Sequence, residues 1–134
     1  MPIVVDASIV VAPVLEETQP QADLLLARRD EWIVPALWWF ELRNALVVNE
    51  RRGRVTEERT ALFLKNIAQF PITIDRTPDE AAIMTLTRRH RLTVYDAAYL
   101  ELALRERLPL ATLDALLAAA AGREGVAVLG DPAA

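Results

Sequence analysis

The chain has 134 residues, 53% of them apolar, enough to bury one continuous core, so a single domain over residues 1–134 is expected. With no cysteine and one histidine, His90, it excludes disulfides, thiolate catalysis, cysteine-type zinc sites and any mechanism that needs two imidazoles. A net charge of -4 argues against binding nucleic acid through bulk positive charge, and any acid–base chemistry must rest on carboxylates, a metal-bound water or arginine.

Ile3-Val4-Val5 is an unbroken apolar run, the pattern of a strand covered on both faces, and Asp6-Ala7-Ser8 ends it in helix-starting residues. No basic segment precedes it, so nothing resembles a secretory signal. Ser8 to Leu15 and Gln19 to Arg29 read as two helices, parted at Thr18-Gln19-Pro20. Trp32-Ile33-Val34 is a second strand, and Pro35 stands at the entry to a long helix, Ala36 to Arg52, closed by Gly53. Thr56 to Gln69 follows as a capped helix, then strand three at Ile72-Thr73-Ile74 and a helix over Pro78 to His90. Asp96 to Arg107 is the next helix, Leu110-Ala111-Thr112 a fourth strand, Asp114 to Ala121 a short helix and Val126-Ala127-Val128 a fifth strand. The tail over 130–134 has the composition of a disordered end. Short apolar strands alternating with helices predict a three-layer α/β/α domain around a parallel five-stranded sheet. The longest uncharged stretches, Trp32 to Phe40 and Ala115 to Gly122, are far shorter than the ~18 apolar residues of a membrane span, so a cytoplasmic protein without a membrane segment is expected.

In open α/β sheets ligands bind beyond the carboxyl ends of the strands, where the strand order reverses. Most of the 19 acidic residues stand in charged runs such as Glu16-Glu17 and Glu57-Glu58, the composition of solvated faces. Four have apolar neighbours instead: Asp6, Glu41, Asp96 and Asp114. Asp6 follows strand one, Asp114 follows strand four, and Asp96 opens the helix before strand four. Each of these three could be no more than a helix cap, which stabilises by ~1 kcal/mol. Glu41 shares a helix face with Leu37, Trp38, Ala45 and Val48, so its carboxylate leaves the apolar stripe, either toward a buried ion pair or toward the sheet edge. Were all four to converge, charges ~4 Å apart would repel by ~4 kcal/mol per pair at an effective dielectric near 20. That requires protonation or a divalent cation, and an all-oxygen donor set selects Mg²⁺, with Mn²⁺ able to substitute. A cation also lets an acidic protein approach a polyanion and hydrolyse a phosphodiester bond.

At these positions the sequence resembles the PIN-domain ribonucleases, in particular the VapC-type toxins of bacterial toxin–antitoxin pairs. The resemblance rests on Ile3-Val4-Val5-Asp6-Ala7-Ser8, on Val34-Pro35-Ala36-Leu37 through Glu41-Leu42-Arg43-Asn44-Ala45-Leu46, on Tyr95-Asp96-Ala97-Ala98-Tyr99-Leu100, and on Leu110-Ala111-Thr112-Leu113-Asp114. The ordered set spans nearly the whole chain. It implies an Mg²⁺-dependent endoribonuclease with catalytic acids Asp6, Glu41, Asp96 and Asp114, of which Asp6 and Asp96 are the metal ligands. Ser8, Asn44 and Thr112 fall on polar positions that support the acids. It further implies an RNA substrate, a homodimer and neutralisation by a VapB-like antitoxin.

Two other classes stay in view. A DNA-directed nuclease would use the same carboxylates. A non-catalytic phosphoacceptor or binding module would want paired acids after strand one and a lysine beyond a late strand, whereas Val5 precedes the single Asp6 and the one lysine, Lys65, lies in a predicted helix. His90, in Arg88-Arg89-His90-Arg91, suits a helix C-terminus better than catalysis. The basic groups Arg88, Arg89, Arg91 and Arg51, Arg52, Arg54 read as solvated helix ends or as an RNA-gripping rim. Trp38, Trp39 and Phe40 cannot all face one core from consecutive helical positions.

Overall fold

Ile3, Val4 and Val5 are 2%, 0% and 1% exposed, as an apolar run covered on both faces requires. In a computed structural model, which describes residues 2–15 and 30–129, they form the central strand β1 (Ile3–Val5) of a five-stranded sheet. The other strands are β2 (Trp32–Pro35), β3 (Ile72–Asp75), β4 (Leu110–Ala111) and β5 (Val128–Leu129), all parallel, in the order β3-β2-β1-β4-β5. The expected break at Thr18-Gln19-Pro20, the helix at Gln19 to Arg29 and the tail over 130–134 lie outside the described residues.

Six α-helices connect the described strands: α1 (Ala7–Val11, continued by a 3-10 turn over Ala12–Leu15), α2 (Leu37–Arg51), α3 (Glu57–Ile67), α4 (Glu80–His90), α5 (Val94–Glu106) and α6 (Ala115–Arg123). From β1 the chain moves outward through β2 to β3, then returns past β1 to β4 and β5. Right-handed crossovers therefore place α1 to α3 on one face and α4 to α6 on the other. Consistent with this, α1 packs on α2, whereas α5 packs on α4 and α6 and lies against β1, β2 and β4. The result is the three-layer α/β/α arrangement expected. The strand order reverses between β1 and β4, and Asp6 and Thr112 stand just beyond their carboxyl ends.

Several boundaries differ from those expected, each for a local reason. Helix α5 begins at Val94, two residues before Asp96, because the Thr93 side chain accepts from the Asp96 backbone N–H at 3.1 Å and caps it. Strand five pairs Val128 and Leu129 with Leu110 and Ala111, two residues later than its apolar pattern suggests, because Glu124-Gly125 must first turn the chain out of α6. Gly53 adopts φ +72°, the left-handed geometry that ends α2 without a Cβ penalty. Of the three consecutive aromatics, Trp38 is 3% exposed, Trp39 43% and Phe40 69%, as the helical circumference demands. Arg43 lies 3.6 Å over the Trp39 ring.

The core joins both helical layers to the sheet through fully buried Ile9, Leu42 and Leu46 on one side and Tyr99, Leu100 and Leu102 on the other. Leu46→Ala removes a wholly enclosed side chain and is expected to cost about 3 kcal/mol, read as a lowered urea midpoint. Ion pairs fasten the outer helices. Arg105 clamps Asp75 of β3 at 2.8 Å and the 2%-exposed Glu101 at 2.7 Å, and Glu101 also accepts from the Asp79 backbone N–H. His90 and Arg89 meet Glu124 at 2.6 and 2.8 Å, tying α4 to the end of α6. The only histidine therefore makes an interhelical contact, and Arg51, Arg52, Arg54, Arg88 and Arg91 remain exposed.

Candidate active site

Asp6 occupies the N-cap position of α1 in extended backbone (φ -74°, ψ 147°), yet its side chain makes no capping bond. Its Oδ2 instead accepts from the Ser8 hydroxyl at 2.9 Å and from the fully buried Thr112 hydroxyl at 2.7 Å. Both hydroxyls are held in turn: Ser8 Oγ accepts from Leu113 N–H at 3.1 Å, and Thr112 Oγ1 accepts from Asp114 N–H at 3.0 Å. These hydroxyls can each donate only once, so both protons point at Asp6. The carboxylate is fixed at the junction of β1 and β4 by a network that also shapes the backbone leading to Asp114.

The other three acids come from three further helices. Glu41 projects from α2, and its Oε1 accepts from the Tyr99 hydroxyl of α5 at 2.6 Å. Its partner is thus a phenol and not the arginine that a buried ion pair would have required. Asp96 sits in the first turn of α5, where Thr93 performs the capping, so its carboxylate has no capping role. Asp114 does cap α6: its Oδ1 accepts from Leu117 N–H at 2.9 Å. A single oxygen suffices for that bond, and the residue also faces the other acids.

Asp6, Glu41, Asp96 and Asp114 line one open cleft of about 440 Å³, together with Ser8 and Ala45. No lysine or arginine lines it among the described residues. Burial first, then the neighbouring charges, push the Asp96 carboxyl up from 3.8 to about 6, the charges being those of Asp114 and Asp6. Burial also raises Asp6 despite its two hydroxyl donors, and raises Glu41 despite Tyr99, with further upward pressure on Glu41 from Asp6 and Asp96. The Tyr99 hydroxyl is itself held protonated by burial and by the carboxylates around it, so it remains a donor. The sheet edge thus gathers negative charge that nothing in the cleft balances.

Of the polar residues expected to support the acids, Ser8 and Thr112 do so. Asn44 does not: it is exposed on α2 and, among the described residues, hydrogen-bonds to none of the four acids, because the helix turns Ala45 rather than Asn44 toward the cleft. Tyr99 was not anticipated. Its position three residues after Asp96 on one helix is the signal that places both on the same face.

The donor set suits a hard divalent cation: carboxylate oxygens alone, crowded enough to resist full ionisation. Among the described residues no three such side chains are gathered closely enough to hold an ion by themselves.

The family model of the PIN domain matches residues 3–123. The chain belongs to the PIN-domain family. Among curated proteins, this PIN domain is 33% identical over 123 residues to Ribonuclease VapC3 of Pyrobaculum aerophilum, spanning 88% of this chain and 93% of that protein. The crystal structure of PAE2754 from Pyrobaculum aerophilum matches it with a TM-score of 0.74 at 26% identity, over 96% of this chain and 92% of that one. Two further structures share the fold: FitAcB from Neisseria gonorrhoeae (TM-score 0.67, 17% identity, 96% of each chain) and a toxin–antitoxin complex from Klebsiella pneumoniae (TM-score 0.54, 20% identity, 85% and 87%). No helix of the described PIN domain is long and apolar enough to cross a membrane.

Proposed function

We propose that this PIN domain is a Mg²⁺-dependent endoribonuclease toxin, acting in the cytoplasm and neutralised by a cognate antitoxin. The observation that carries the chemistry is the convergence of four carboxylates, from four separate helix starts or faces, on one cleft at the strand-order reversal. The toxin role is supported by the ribonuclease VapC3 relative and by structural neighbours that include a toxin–antitoxin complex. A homodimer belongs to the same proposal, and exposed Trp39 and Phe40 are surfaces such an assembly could cover.

In this function Asp6 and Asp96 would hold the ion, with Mn²⁺ able to replace Mg²⁺. Once bound, a divalent cation supplies charge neutralisation at the scissile phosphate and lowers the pKa of an attacking water. The chain's own residues supply orientation. Ser8 and Thr112 donate to one Asp6 oxygen and hold the carboxylate at the edge of the cleft. Tyr99, from the opposite helical layer, holds Glu41 Oε1 in the same way and fixes that carboxylate. Burial and the charges of Asp114 and Asp6 disfavour an ionised Asp96 carboxylate, a cost that a bound cation would relieve. Asp114 adds charge to the cleft while capping α6.

The test is cleavage of RNA and of DNA side by side, with Mg²⁺, with Mn²⁺ and with EDTA. Cleavage of RNA with either ion and none with EDTA is the expected result. Cleavage of DNA in preference to RNA would assign the same cleft to a DNA-directed nuclease, and binding without cleavage would point to a non-catalytic module.

A further inference from the structure

The cleft carries its own difficulty: among the described residues it is lined by four acids and no base, on a chain of net charge -4. Among the described residues the cleft itself therefore offers no basic side chain to a phosphate. Another general source of affinity is stacking of unpaired bases on aromatic rings, which is independent of charge.

Tyr95 is placed for that role. It immediately precedes Asp96 in the first turn of α5 and is 62% exposed. It stands one helical turn before Tyr99, so the two share a face, and the buried Tyr99 donates to Glu41, which lines the cleft. Helical side chains lean toward the N-terminus of their helix, and the N-terminal end of α5 is the end that brings Asp96 to the cleft. Tyr95 therefore continues the stripe of Tyr99 and Asp96 outward onto the rim. Folding offers no reason to leave a large aromatic ring in water at this point, because the core is closed beneath it by Ala97, Ala98, Tyr99 and Leu100.

Resting on the ribonuclease reading above, we propose that Tyr95 is a substrate-binding residue that stacks on an unpaired base next to the scissile phosphate.

The experiment begins with the wild-type protein and Mg²⁺ on purified total bacterial RNA, with cleavage positions mapped from the new ends. A synthetic oligoribonucleotide carrying a mapped position is then assayed alone and annealed to its complement. Tyr95→Ala is expected to raise KM on the unpaired oligonucleotide by roughly 5- to 100-fold, the loss that removing one stacked base produces. The kcat and melting temperature should stay near wild type, and Tyr95→Phe and Tyr95→Trp should retain the wild-type KM. The annealed duplex should resist cleavage. An unchanged KM in Tyr95→Ala, equal cleavage of the duplex, or a Tyr95→Phe variant as impaired as Tyr95→Ala would each overturn the stacking role. If the wild-type protein cleaves no RNA at all, the ribonuclease reading itself fails, and the inference fails with it.

Discussion

Asp6→Asn is expected to lower RNA cleavage by about 10³-fold while leaving the protein folded and, without divalent ion, at least as stable as wild type. The activity loss follows from the several kcal/mol that a metal ligand and its ion contribute at a transferring phosphoryl group. The stability follows from the hydrogen bonds. Ser8 and Thr112 donate to the same oxygen, Oδ2, and an asparagine carbonyl can accept both, leaving its amide where Oδ1 stood. Burial disfavours the charged form of Asp6, so exchange for a neutral isostere removes a cost instead of adding one. Cleavage rates and thermal melts in EDTA would be measured on the same preparations. Activity within tenfold of wild type would remove Asp6 from the reaction, and a collapsed melting transition would mean that its charge is needed to hold β1 and β4 together.

A second large effect is expected in the linkage between pH, metal and stability. The Asp96 carboxyl is raised from 3.8 to about 6, and Asp6 and Glu41 are raised as well. A group raised on folding stabilises the fold while protonated: the contribution is full below pH 3.8 and is lost as pH climbs through about 6. Two carboxylates oppose this. Arg105 holds Asp75 below the usual range, and Arg89 with His90 holds Glu124 there, so their contributions are lost only at lower pH. Between about pH 5 and pH 7.5 the cleft should therefore dominate. In EDTA the protein should melt several degrees higher at the lower pH, corresponding to about 1–2 kcal/mol once the half-exposed position of Asp96 is discounted for solvent screening. Added Mg²⁺ should largely cancel this difference, because it needs the ionised carboxylates. At ten times its Kd it would add about 1.4 kcal/mol at the higher pH and much less at the lower, where protons compete. Calorimetric scans at both pH values, with EDTA and with Mg²⁺, check this. A melting temperature that rises from the lower to the higher pH in EDTA, or an ion effect equal at both, would mean that the carboxylates do not act as one charged cluster.

Much of this was legible in the residues because local physics decides it. The run Ile3-Val4-Val5 can only be a strand covered on both faces, and the alternation of such runs with helices fixes a parallel sheet whose functional edge is known in advance. Asp6, Asp96 and Asp114 were visible as acids at that edge, and Glu41 as an acid leaving an apolar stripe. Boundaries fared worse where a cap competes with a pattern. Thr93 starts α5 two residues before Asp96, and the Glu124-Gly125 turn delays β5, because both are settled by single hydrogen bonds or turns that periodicity does not register.

What the sequence by itself determined was the layer architecture, the PIN resemblance and the inventory of acids, all consequences of residue type and spacing along the chain. Only the tertiary structure decided how each acid is used. It freed Asp6 and Asp96 from capping and left Asp114 with one capping bond. It gave Glu41 a tyrosine partner 58 positions away, and it turned Asn44 to solvent. The physical reason is the same in each case: a carboxylate's partner is chosen by distances across the sheet edge, between β1 and β4 and between α2 and α5. Those distances exist only once the strands have taken their order.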